Sequence, residues 1–189
     1  MEDFFKTLLF SILKLNPHDD NFKDTASRIT KSLQEILEGM ENLDEKINET
    51  LSKTFPSKGY NSIILLSEIK TFSICPHHFL PVEYTIDIAY LPDEDGKLLG
   101  ASKLIRLAEL LSKRPVLQET LTEEIATQIL HKTEALGSAV IIKGSHMCMR
   151  MRGIKSIGSK MITSTMLGTF RDNAATRQEF FELLRHSRR

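Results

Sequence analysis

Two short stretches of this sequence hold the residue types that metal binding and proton transfer need. "SICPHHFLP", residues 73–81, sets Cys75 beside Pro76, His77 and His78; "HMCMRMR", residues 146–152, joins His146 to Cys148, Arg150 and Arg152. Cys75 and His78 have the close spacing usual for two ligands of one zinc ion, and Cys148 would supply a distant third. A Cys2His set leaves one tetrahedral position open for water, the arrangement of a catalytic rather than a structural zinc site. His77 and His146 are then left for proton transfer, to which imidazole is suited near neutral pH. If the histidine pair lies in an extended segment, its two side chains point opposite ways, which would give them separate roles. Strand alternation over 146–152 would likewise group His146, Cys148, Arg150 and Arg152 on one face and turn Met147, Met149 and Met151 into the core. Spacing alone leaves a second use open, because Cys75 and Cys148 are the only cysteines and buried cysteines are common core residues. His18, His131 and His186 have no such neighbours and read as surface residues.

A third group could bind anions. In "GASKLIRLAELL", Ser102, Lys103 and Arg106 fall at or near a helix start, where backbone donors and basic side chains favour negative charge. Lys103 and Arg106 are spaced i, i+3 and share part of one face. A solvated helix face would read the same way. Glu119, in "LQETLTEE", is either a surface carboxylate near a helix start or a buried acceptor for the edge of a base.

The elements that must position these residues follow from periodicity. Strands are expected at "SIILL", "IKTFSIC" and "VEYTIDIAYLP", then at "SAVIIKG", "HMCMRMRG" and "KMITSTMLGTF". Helical spacing marks a helix from about Thr25, with Ile29, Leu33, Ile36 and Leu37 inward, and more helix over 43–54. Further helices cover "SKLIRLAELLSK", about Thr120 to Ala135, and Thr176 to Arg185. "FPSKGY" reads as a loop and "PDEDGK" as a turn. The order is α+β: an antiparallel sheet with helices packed on one face, preceded by N-terminal helices. We divide it as an N-terminal helical region, 1–55, and a sheet-bearing region, 56–189, that form one structural unit.

Composition narrows the function. Twenty-five basic residues balance twenty-five acidic ones, so no global field favours nucleic acid or membrane. The apolar start, "MEDFFKTLLFSILKLNP", has Phe4, Phe5, Leu8, Leu9, Ile12 and Leu13 on one helix face, interrupted by Lys6 and Lys14. Glu2 and Asp3 stand where a signal peptide is basic, so a packing helix and a cytoplasmic location are expected.

Four ordered stretches, "SICPHHFLP", "LGASKLIRLAELLSKRPVLQETLTEEIA", "HMCMRMRG" and "STMLGTFRDNAATRQEF", resemble GTP cyclohydrolase I, with a weaker "DTASRITK" before them. The resemblance runs from about Asp24 to Leu184. It implies the tunnelling fold, assembly as a ring of ten subunits with active sites shared between neighbours, and Zn2+ as cofactor. It implies GTP as substrate, with opening of the guanine imidazole ring, release of formate and closure to 7,8-dihydroneopterin triphosphate. Matched position by position, Cys75, His78 and Cys148 would be zinc ligands, and His77 and His146 catalytic histidines. Ser102 would sit near the ribose and help move protons there. Lys103, Arg106 and Arg152 would contact the triphosphate, together with Lys31 from another subunit, by charge-assisted hydrogen bonds. Glu119 would hold the guanine edge, with Gln118 beside it. Four places depart from the family pattern: Pro76 replaces a glutamate, Tyr84 a glycine, Thr120 the arginine of "QER", and "NFKDTAS" stands where the family has "GL…TP". They leave two alternatives standing, a divergent cyclohydrolase that stops at a ring-opened formamide or takes another purine nucleotide, and a zinc-containing paralogue without turnover.

Overall fold

The computed structural model describes residues 1–188. The chain forms two compact units, Met1–Glu38 and Gly39–Arg189. The first holds α1 (Glu2–Lys6), which continues as a π-helix over Thr7–Ile12, and α2 (Thr25–Ile36). The expected apolar faces are there but open: Leu9 and Ala26 are buried, while Phe4, Ile12 and Leu13 are each more than half exposed.

The second unit begins with α3 (Leu43–Thr50), whose Ile47, followed by Leu51, is part of this unit's core. Next come β1 (Thr54–Pro56), β2 (Ile64–Ile74), β3 (Pro81–Leu91) and β4 (Lys97–Leu99). They are followed by α4 (Ala101–Ser112), α5 (Gln118–Thr133), β5 (Gly137–His146) and α6 (Met147–Arg150). β6 (Met161–Gly168), α7 (Thr169–Asp172) and α8 (Ala174–His186) close the chain. The strands β2-β3-β5-β6 form one antiparallel sheet in that order, and β1 pairs with β4 in a small second sheet.

Alternation on β3 builds the core directly. Val82, Tyr84, Ile86, Ile88 and Tyr90 are all fully buried, on the face covered by α4 and α5. The helices answer with side chains at helical spacing: Leu104, Leu107, Ala108 and Leu111 from α4; Leu121, Ile125, Ala126 and Ile129 from α5. A smaller cluster joins Ala89 and Ala139 to Phe170, Phe180 and Leu184, with the two phenylalanine rings edge to face at 5.7 Å. Asn173 starts α8 by accepting from the backbone N–H of Ala175 and Thr176 at 2.8 and 3.3 Å.

Register brings the chemistry to one end of the sheet. Ile74 pairs with Pro81, so residues 75–80 are the loop of the β2–β3 hairpin, and Val82 pairs with His146 at the end of β5. A bridge from Ile74 to Pro115 draws the α4–α5 connection, and hence the start of α5, to the same end.

Candidate active site

The hairpin loop is a turn, which corrects the expectation of an extended histidine pair. Phe79 N–H donates to Cys75 O and Cys75 N–H to Leu80 O, both at 2.9 Å, and Phe79 takes the left-handed conformation with φ 54°. This curl turns both imidazoles toward the thiol of Cys75. Its Sγ lies 3.9 Å from His78 Nδ1 and 4.0 Å from His77 Nδ1. The expected strand over 146–152 is also corrected. The β3–β5 ladder stops at Val82, since Pro81 before it has no N–H to donate, so β5 ends at His146 and the chain coils into α6. Met147 and Met149 are half-buried and Met151 is 63% exposed, so the methionines are not an inward stripe. The coil nevertheless brings Cys148 Sγ to 3.7 Å from Cys75 Sγ.

The ligand atoms of Cys75, His78 and Cys148 all lie within 4.8 Å of one another. Two sulfurs held tetrahedrally at ~2.3 Å from zinc stand about 3.8 Å apart, and a sulfur and a nitrogen about 3.6 Å, so the donor set fits the ion. It does not fit a disulfide, whose sulfurs are ~2.05 Å apart. Burial, then the adjacent Cys75 thiol, push the Cys148 thiol up, while Arg152 draws it down. A bound cation would reverse that balance by favouring thiolate.

Beside these ligands is a cavity of about 250 Å³. His77 and His146 line it, as do Gln118 and Glu119 at the start of α5, with Val116 and Leu117 as apolar wall. At this size it suits a base rather than a whole nucleotide, since complete ligand sites run ~300–1,000 Å³. Burial lowers the pKa of His146, and Glu119 partly offsets this. Glu119 is exposed at the rim, so its carboxylate is not the buried acceptor that was one expectation.

The remaining candidates are spread out. Ser102, Lys103 and Arg106 stand on the first two turns of α4, whose N-terminus has no side-chain cap, and none of them lines the cavity. Arg152 is exposed just after α6, and Lys31 is exposed on α2 of the N-terminal unit. His18, His131 and His186 are exposed, as expected.

One residue, Gly144, escaped the sequence reading, and another, Tyr84, stood there only as a departure from the family pattern. A Cβ on Gly144 would overlap Gln118 Oε1 and stand 3.0 Å from His146 Nε2 and from the ring of Tyr84. A glycine inside a strand signals such a close approach, and "IIKGSH" carried that signal. Tyr84 is fully buried, edge-on to His146 with centroids 6.1 Å apart, and its hydroxyl makes no well-formed hydrogen bond among the described residues, with the Ser73 side chain nearby. Burial, then the nearby Cys75 and Glu119, push the phenol pKa well up, so it stays protonated.

Comparison with known proteins decides the family. The family pattern described as GTP cyclohydrolase I matches residues 1–185. This chain belongs to the GTP cyclohydrolase I family. A GTP cyclohydrolase 1 of Coxiella burnetii is 39% identical over 183 residues, covering 97% of this chain and 96% of that protein. One from Pelotomaculum thermopropionicum is 40% identical over 178 residues, 94% and 92% of the two chains. Another from Corynebacterium glutamicum is 40% identical over 170 residues, 90% and 85%. The antiparallel sheet with its packed helices is the α+β architecture expected, and the chain is a hydrolase of the GTP cyclohydrolase I family. Among the described residues, no helix is long and apolar enough to cross a membrane.

Proposed function

We propose that this GTP cyclohydrolase works with a zinc ion held by Cys75, His78 and Cys148, and converts GTP to formate and 7,8-dihydroneopterin triphosphate. The observation that carries this reading is the junction of two thiols and an imidazole, at 3.7 and 3.9 Å, beside a base-sized cavity that His77 and His146 line. Bound there, zinc would supply Lewis acidity toward water and the carbon being hydrolysed. The cavity would seat the guanine, with Glu119 accepting from its N–H edge and the apolar wall of Val116 and Leu117 excluding water. His77 and His146 would deliver a proton to N7 as the ring opens and take one back as formate leaves. Ser102 would assist proton movement at the ribose.

The triphosphate would extend beyond the cavity toward basic side chains. Lys103 and Arg106 at the α4 N-terminus, with Arg152, would pair with it bidentately or as point charges. Lys31 would reach it from a neighbouring subunit, in a cytoplasmic ring of ten. The site would then have its base pocket in one subunit and part of its phosphate clamp in another.

The test is incubation of zinc-loaded protein with GTP, following formate and pterin fluorescence. Both should rise together. Formate without fluorescence would move the assignment to a ring-opening enzyme that stops early, and neither product would overturn the catalytic reading.

A further inference from the structure

The side chain of Gln118 is 2% exposed, and its amide nitrogen is fully engaged within the protein. Its Nε2 donates to Ile142 O at 3.0 Å, Met161 O at 3.1 Å and Thr163 Oγ1 at 3.1 Å. Two of these are carbonyl oxygens, which cannot donate, so the amide has one permitted orientation. The threonines fix the same direction independently. Thr122 Oγ1 donates to Gln118 O at 2.6 Å, so Thr163 must donate across their shared 2.6 Å contact, which leaves its lone pair facing the Gln118 amide. Gln118 Oε1 is therefore turned toward His146 Nε2, 3.0 Å away.

An amide oxygen only accepts, so the nitrogen facing it must carry hydrogen. From this we infer that Gln118 is a positioning residue that locks His146 in the tautomer protonated on Nε2, leaving Nδ1 as the atom that accepts and returns the reacting proton. The inference rests on the reading of His146 as a proton-transfer group, and it gives Gln118 a role beyond the expected substrate contact. Packing holds the lock from the other sides. Gly144 leaves only enough room for the amide oxygen and the imidazole, and the Tyr84 ring stands edge-on to His146. Second-sphere partners fix histidine tautomers in this way in many sites.

The wild-type tautomer can be read without any mutation, from long-range 1H–15N correlations of histidine-labelled, zinc-loaded protein at neutral pH. The signals of His146, assigned by their loss in His146→Ala, should show a pyrrole-type Nε2 and a pyridine-type Nδ1. The opposite pattern overturns the inference. Gln118→Met should leave zinc stoichiometry unchanged, mix the tautomers of His146, and lower kcat at least about tenfold with KM for GTP little altered. Retention of a single Nε2–H tautomer in that variant would also overturn it. If Gln118→Met does not fold, Thr163→Val removes one anchor of the amide and should produce a partial mixture. Wild-type protein with the inferred tautomer but no turnover would sink the proposed activity while leaving the positioning role intact.

Discussion

At the residue scale, the two ends of the site should separate experimentally into metal and proton-transfer groups. Cys148→Ser removes one of two thiols 3.7 Å apart and should release zinc, measured by metal analysis after gel filtration. His146→Ala should keep zinc and lose formate release by about 10²–10⁴-fold. Equal zinc loss in both variants would contradict the division. Gly144→Ala drives a methyl into Gln118 Oε1 and against His146, and should cost about 1–3 kcal/mol in urea denaturation as well as turnover. Unchanged activity there would show that the amide and imidazole can move freely. The cluster of Cys75, His78 and Cys148 was legible because each member has a rare residue type and a telling neighbour. The hydrogen bonds of Gln118 were not, since its partners lie 24 to 45 residues away and meet only through strand pairing.

At the element scale, α4, α5, β3, β5 and α8 were readable from their apolar side chains: the helices bury one face at helical spacing, and β3 and β5 are apolar runs buried on both faces for much of their length. The failures share a cause. "HMCMRMR" alternates as a strand should, but alternation is sufficient only where a partner strand exists, and β3 ends opposite His146. The short pair β1 and β4 was missed because three-residue strands carry no period. α8 itself rests on a small contact, Phe180 against Phe170 with Ala89 and Ala139 beneath. Phe180→Ala should therefore destabilise the sheet unit by about 3–5 kcal/mol, seen as a lower urea midpoint. A loss under about 1 kcal/mol would mean that the cluster collapses to fill the space.

At the scale of the whole molecule, the proposed sharing of sites makes a prediction that no single chain could satisfy. Lys31→Ala and Cys148→Ser should each abolish turnover, one through the phosphate clamp and the other through the metal. Oligomers refolded from a mixture of the two should regain activity, because some sites would combine an intact metal centre with an intact lysine. Mixed oligomers, shown to form by differential tagging, that stay inactive would place Lys31 within its own subunit's site. Assembly was not legible from local pattern, since an apolar helix face such as that of Phe4, Ile12 and Leu13 does not say what covers it.

The two thiols of the proposed metal site, Cys75 and Cys148, stand 73 residues apart, the first with His78 in one hairpin loop and the second just past the end of β5. At ~5–20 residues per second, a ribosome needs about 4–15 seconds to make the chain between them. Throughout that interval the growing polypeptide carries a half-built chelate, the Cys75 thiol and the His78 imidazole, without Cys148 as the third donor. Metal capture is therefore tied to the end of synthesis, when β5 docks on β3 and delivers Cys148. Substitutions that slow this docking should show themselves first as under-metallated protein, well before they lower the melting temperature of the finished one.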